Sequence, residues 1–392
     1  MDALKNIVGE ENFSDDEKII ALNSTDMSHL PAKAKCVVFP TTAEQVQKII
    51  QFANRENIVV VPRGAGTGLA GGAVADDAIV LNLKKMDRIL NLNKEGNRIT
   101  VEPGIIIDRL NKELGKDNLF FPVRPSSHMI ATIGGMIATD AVGDRGVLYG
   151  STLANVEEFD VVTGNGDLIT VFGNKKRIFS GKEGTTGIIV KAKLRIRNIP
   201  KEFSMTLHEF DNPEDLIEKV REVKEDVDVC AIEFMDSILH KLEGFKEDYL
   251  LIVEYIGLKG EVKDPAKLQE IWKERDKAYG LLASKGYKSI EDPVIPEENM
   301  AQFLRWLNDN KIPSFAHIGY GIIHPCIAPD KTDLLEEMYT VVRDLHGRVS
   351  GEHGIGIVKS RFLNDEEKSR HIRLKDIYDK NRILNRGKIV SE

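Results

Sequence analysis

Cysteine is scarce in this chain. Cys36, Cys230 and Cys326 are the 3 cysteines among 392 residues, they lie far apart, and no C-x-x-C pair occurs. That spacing excludes a cysteine-held iron–sulfur cluster, a zinc ribbon and an even-numbered disulfide framework, and it points to reduced thiols in a cytoplasmic setting. Long apolar runs are missing as well: nothing approaches the roughly 18 apolar residues that cross a bilayer. Membrane association is therefore expected only at the periphery, through a partner. The opening MDALKNIVGEENFSDDEK is acidic and lacks the apolar core of a secretory leader. Excess positive charge is absent too. The 54 Lys and Arg against 62 Asp and Glu leave a net charge of −8, which argues against a nucleic-acid partner. There are no internal repeats and no low-complexity segments. What remains is the composition of a globular enzyme, long enough for two or three compact units.

What is present is glycine in clusters. The stretch 63–72, RGAGTGLAGG, is too rich in glycine for a helix and reads as a loop. A second such region covers 125–150 and a third 180–187, SGKEGTTG. Around them short helices and strands alternate. Thr42-Ala-Glu-Gln45 is a capping box, followed by an apolar face of Val46, Ile49, Ile50 and Ala53. A buried strand over 58–61 is expected to stop at Pro62, with further strands over 79–83 and 98–101. Over 188–197 Val190, Ala192, Leu194 and Ile196 alternate with lysine and arginine, the pattern of a half-buried strand. Glycine density falls near Pro200, where a domain boundary is placed. Beyond it strands are expected over 228–234 and 249–255, and helices over 266–284 and 297–309, while the tail over 374–388 reads as a helix that breaks into NRGK. Another helix starts at Asp333 and stops at Gly347. Helices alternating with few strands predict an α+β domain with a mainly antiparallel sheet.

Gly66, Gly68 and Gly71 fit G-x-G-x-x-G, but a strand follows where a dinucleotide fold requires a helix, so a nicotinamide fold is rejected. No Gly-Lys-Ser/Thr completes a Walker loop either. What the loops offer is runs of backbone N–H groups, and such nests hold anions, phosphates above all. Three of them suit a long cofactor with a pyrophosphate. The plainer reading of each is a set of tight turns.

PRGAGTGLAGG, PSSHMIATIGG, KEGTTG and SGEHGIG follow one another in the chain. In that order they resemble the FAD-linked oxidases of the vanillyl-alcohol-oxidase and p-cresol-methylhydroxylase type. Within that family the chain is most similar to the branch of D-lactate dehydrogenases, D-2-hydroxyglutarate dehydrogenases and the glycolate oxidase D subunit. The similarity runs from Cys36 to Lys388. It implies a bipartite FAD-binding domain of two α/β subdomains over 1–200, then an α+β substrate (cap) domain over 201–365. A C-terminal segment over 366–392 would return to the first domain. The resemblance places the FAD phosphates on Arg63, Gly64, Ala65, Gly66, Thr67 and Gly68. It adds contacts from Pro125, Ser126, Ser127, Thr132, Gly134, Gly135 and Thr139, and from Gly184, Thr185, Gly187 and Ile189 along the other side. Asn385 and Lys388 match the family's C-terminal N-P-G-K. Relatives with covalent FAD carry a histidine in the first loop. None stands between Arg63 and Gly72, so noncovalent FAD is expected.

His317 and His324, in HIGYGIIHP, are seven residues apart and would point to opposite sides of a flat strand. Gly319 and Gly321 between them allow a turn or bulge that brings both rings inward. With Glu352 they amount to two nitrogens, a carboxylate and an open position, a composition suited to a catalytic divalent-metal site. The resemblance implies a zinc-like ion there. The plainer reading is loop histidines with unrelated hydrogen bonds. His353 is the candidate base near neutral pH, or a group that orients Glu352. Arg275 matches the family's substrate arginine, and it also reads as part of a solvated helix face beside Glu274 and Asp276. Trp272 and Trp306 read as packing residues.

The chain departs from the family's H-x-G-D-G-N-x-H-P at Tyr320 and Ile322. Cys326 replaces an asparagine of some relatives, and Lys288 is a possible substitute for a family lysine. The expected activity is FAD-dependent oxidation of a D-2-hydroxyacid such as D-lactate or glycolate, with electrons passed to an iron–sulfur protein or a quinone. A homo-oligomer is possible. Two further readings are a non-redox FAD transferase like the alkylglycerone-phosphate synthases, which Tyr320 suggests and Ser350–His353 opposes, and a noncatalytic flavoprotein subunit.

Overall fold

The computed structural model describes residues 1–236, 239, 249–287, 289–328 and 330–391. Lys288 lies outside the described residues. The chain divides into two compact units. The first comprises residues 1–141, 151–199 and 352–392, the second 142–150 and 200–351. The second therefore ends at Gly351 rather than at 365. Segment 352–365 belongs to the first unit because Glu183 accepts the N–H groups of Ile355 and Gly356, and the Ala70 carbonyl accepts those of Ile357 and Val358.

The first unit contains two larger sheets. The smaller has the order Phe13–Ser14, Cys36–Val38, Ile79–Asn82, Val60–Arg63, with its last three strands parallel. The helix Ala43–Glu56 buries the predicted Val46, Ile49, Ile50 and Ala53 on this sheet's core. Thr42 caps it through the Gln45 N–H, while the Gln45 side chain reaches back to Thr41, one residue earlier than a capping box requires. Pro62 does not end its strand. It sits on the edge strand Val60–Arg63, where a missing N–H is tolerated. The larger sheet, Ile89–Asn93, Arg98–Val101, Gly187–Arg195, Val156–Thr163, Leu168–Phe172, is antiparallel throughout.

The second unit is a six-stranded antiparallel sheet with helices. Its order is Phe203–Phe210, Tyr249–Ile256, Val229–Met235, Ser314–His317, Ile322–Ile327, Ser289–Ile290. The helix expected from Asp333 starts at Thr332, and the Gly347 N–H closes on the Val342 carbonyl at 2.7 Å.

The tail differs from expectation. Its helix is Asp365–Tyr378, opened by a capping box of Asn364 and Glu367. Residues 379–388 are not helical. Asp379 accepts the N–H groups of Ile383 and Leu384, each at 3.1 Å, and Asn385 is left-handed at φ 46°.

Candidate functional site: a glycine cradle and a polar stripe on a sheet

In the first unit the loop after Arg63 is the most open backbone of the three glycine regions. Among the described residues, the N–H groups of residues 65–72 donate to no protein acceptor. The loop is half-buried, so these donors form a row that an anion can reach. Gly64 owes its identity to close approach: a Cβ there would fall on Thr132 Oγ1. Thr132 in turn caps the short helix Ile133–Thr139 by accepting the Gly135 N–H at 3.3 Å. The donor row and the small residues beside it fit an extended phosphate-bearing group.

Other predicted cofactor residues act as supports. Arg63 is buried and donates to the carbonyl of Thr25 at 2.7 Å. Thr185 is fully buried, donating to the Lys182 carbonyl and contacting His371 Nε2 at 3.1 Å. Gly187 and Ile189 lie in the strand Gly187–Arg195, with Gly184 in the loop before it. Asn385 donates to the carbonyls of Gly72 and Glu183, which ties the tail to two glycine loops. The Lys388 ammonium donates to the Val74 carbonyl and to Asn385, and burial pushes it down to about 7. Pro125, Ser126 and Ser127 open the second loop, where the Ser127 carbonyl accepts the N–H groups of Ile130 and Ala131.

In the second unit the odd spacing of the two histidines is resolved by a hairpin. His317 ends one strand, Ile318–Tyr320 forms a single 3-10 turn, and Gly321 turns the chain at φ 83°. Register then sets His317 opposite Ile322 and Phe315 opposite His324. The two histidines thus project from one face, with ring centroids 5.3 Å apart and planes at 89°. Each ring is anchored through Nδ1, His317 to Glu233 Oε1 at 2.8 Å and His324 to the Glu291 carbonyl at 3.2 Å. With Nδ1 donating, Nε2 of each ring is the lone-pair nitrogen. The donor set therefore fits a divalent ion.

The same face carries charged residues that sequence reasoning missed. Ala231 faces Glu254 and Phe234 faces Ala316, so Glu254, Glu233 and His317 lie on one side of the sheet. Glu233 Oε2 accepts from Arg275 Nε at 2.9 Å, with Nη2 of the same guanidinium 2.7 Å away as the charge partner but making no hydrogen bond. Arg275 is 3% exposed and stacks over Phe315, its guanidinium 4.6 Å from the ring centroid. The helix face it occupies is buried, not solvated. Burial pushes Glu233 up, opposed by His317 and Arg275. Asp144 brings a second buried carboxylate, its oxygen within 4.8 Å of ligand atoms of Glu233 and His317. Beside this group Arg145 grips Glu254 with two bonds of 2.7 and 3.0 Å, and Trp272 Nε1 donates to the same carboxylate at 2.9 Å. Trp272 is thus a polar partner as well as a packing residue. The available signal was a single acid inside each of two apolar strands, VCAIEFM and YLLIVEYI, both almost wholly buried.

The apolar departures share this face. Ile322 stands opposite His317, and Cys326, two residues beyond His324, is fully buried with its thiol pushed well up by burial. Tyr320 lies in the turn, against the Gly146 backbone. Asp292, also fully buried, accepts from the Ser350 hydroxyl and the Gly351 N–H. It fixes the end of the unit just before Glu352. Glu352 and His353 are neighbours in the first unit, with His353 Nε2 3.9 Å from Glu352 Oε1.

Known proteins give this arrangement a context. Residues 34–172 match the FAD binding domain, and residues 248–389 match the C-terminal domain of FAD linked oxidases; together they span more than half of the chain. The glycolate oxidase subunit GlcD of Bacillus subtilis is 28% identical over 448 aligned positions, covering 98% of this chain and 95% of the relative. The alignment is longer than the 392 residues here, so the relative carries segments that this chain lacks. The D-lactate dehydrogenase of Anaerostipes hadrus is 27% identical, with 98% and 94% covered. The D-2-hydroxyglutarate dehydrogenase of Stutzerimonas stutzeri is 27% identical, with 99% and 98% covered. Among solved structures, an alkyldihydroxyacetonephosphate synthase shares the fold at a TM-score of 0.71 and 19% identity, with 97% of this chain and 83% of that chain covered. With an FAD-type cradle in one unit, an antiparallel cap sheet in the other and both domains matched in sequence order, the chain belongs to the FAD-linked oxidases.

Proposed function

We propose that the protein is an FAD-dependent dehydrogenase that oxidises a D-2-hydroxyacid of the D-lactate or glycolate class to the 2-oxoacid. The observation that carries this reading is the histidine hairpin: two imidazoles on one sheet face, each with Nδ1 anchored to an oxygen of the protein. Relatives aligned along nearly their whole length bear the names of enzymes that act on such acids.

In this reading FAD is held noncovalently by the glycine cradle, and His317, His324 and Glu352 hold a divalent ion, zinc by their nitrogen and oxygen donors. When bound, FAD supplies the two-electron acceptor for the C–H hydride, and the ion supplies a Lewis acid for the hydroxyl oxygen. His353 takes the hydroxyl proton as the general base. The partner this reading calls for is a separate electron acceptor, an iron–sulfur protein or a quinone. The three cysteines are buried and dispersed, so the chain supplies no cluster of its own for that transfer. No helix among the described residues is long and apolar enough to cross a membrane.

The direct test is anaerobic bleaching of the flavin by a panel of D-2-hydroxyacids, with metal per FAD measured on the same sample. Bleaching by one or more acids at one ion per FAD supports the reading. A flavin that no member of the panel bleaches removes the substrate class.

A further inference from the structure

We infer that Glu233 is a positioning residue that aims His317 at the metal, and that Arg275 holds Glu233 in place for that task. This rests on the metal reading above and deepens it. The geometry is a buried chain of three side chains on one face of the cap sheet. Arg275 donates from Nε to one carboxylate oxygen of Glu233 at 2.9 Å, and its charge lies against the same oxygen. The other oxygen takes His317 Nδ1 at 2.8 Å. Glu233 is 0% exposed, Arg275 3% and His317 3%.

Three arguments lead from this geometry to a role. Carboxylate acceptance at Nδ1 fixes the imidazole tautomer and ring plane, and it raises the basicity of Nε2. A carboxylate buried this deeply needs a fixed counter-charge, and Arg275 provides it in a planar, forked geometry that lysine does not reproduce. The guanidinium is also immobilised against the Phe315 ring, on the strand that carries His317.

The experiment uses the FAD-loaded protein stripped of metal and titrated with zinc against a competing chelator. Glu233→Gln offers a single acceptor oxygen to two donors, so zinc affinity should fall about 10- to 100-fold. Because that variant leaves Arg275 uncompensated and can unfold, a second one, Glu233→Met with Arg275→Met, replaces the buried pair by apolar groups of similar length. It should fold and show the same loss of zinc affinity. Unchanged zinc affinity in the double variant overturns the inference. If the unmodified protein binds no zinc, or binds it as tightly after His324→Ala, then the metal reading itself has failed, and the relay falls for that separate reason.

Discussion

The two candidate sites are made of different material. The cradle of the first unit is backbone: a half-buried loop whose N–H groups at 65–72 have no protein acceptor among the described residues, beside Gly64, which has no room for a side chain. The stripe in the second unit is side chain: His317, His324, Glu233, Glu254, Arg145 and Arg275, projected from strands and a helix into a buried layer. A backbone site recognises charge and length, and tolerates sequence change wherever glycine is kept. A side-chain site depends on the pKa, tautomer and partner of each residue. The first therefore suits a cofactor shared by a whole family, and the second suits the step at which family members differ.

The comparison is tested most strongly at His353. His353→Gln should lower the rate of anaerobic flavin reduction about 10²- to 10⁴-fold, the range for loss of a general base. FAD absorbance and metal content should stay unchanged. A variant that reduces its flavin at the normal rate would remove His353 from the chemistry. Next in size is Arg145→Met. It strips the two-bond partner from Glu254, which is 2% exposed. Breaking a buried pair from one side costs about 3–5 kcal/mol, read as a lower urea midpoint with the slope preserved. Equal midpoints would mean that the Trp272 and Cys230 contacts to Glu254 suffice without Arg145.

How much of each site could be read from the sequence follows from the same contrast. The cradle was legible because glycine spacing is local: RGAGTGLAGG announces its own loop. The histidine pair was half legible. Gly319 and Gly321 implied a turn, but only the register His317↔Ile322 shows that it is a hairpin with both rings on one face. Glu233 was not legible, because its partner His317 lies 84 positions away and Arg275 lies 42 away. Nothing in periodicity encodes such pairings. The tail helix was misplaced for a local reason: its apolar periodicity is weak, and the stronger signal, Asn364 with Glu367, was overlooked. The strand at Val60–Arg63 runs through Pro62 because it lies on an edge, and sheet order does not follow from local pattern.

A smaller effect separates the two sites directly. Gly64→Ala puts a methyl on Thr132 Oγ1, and overpacking of this kind costs about 1–3 kcal/mol. FAD affinity, followed by flavin fluorescence, should drop by that equivalent, while zinc binding at the histidine hairpin stays as it was. Loss of both together would show that the cradle and the stripe do not behave independently.

The buried histidines give the finest form of the contrast. His317 faces a carboxylate, whereas His371 in the first unit is 4% exposed, touches Thr185, and sits among Lys182, Lys375 and Arg382. Desolvation, reinforced by those cations, holds its imidazole at about 3 instead of the ordinary 6.5. Between these two values the unfolded chain takes up a proton that the folded chain refuses. Stability from this group is therefore complete above pH 6.5 and falls as the pH drops towards 3, by at most about 1.4 kcal/mol per pH unit. His371→Gln keeps a hydrogen-bonding group for Thr185 but cannot take up the proton. Urea unfolding of both proteins from pH 6.5 downward should show a shallower acid slope in the variant, and equal slopes would mean that His371 is protonated in the folded chain as readily as in the unfolded one.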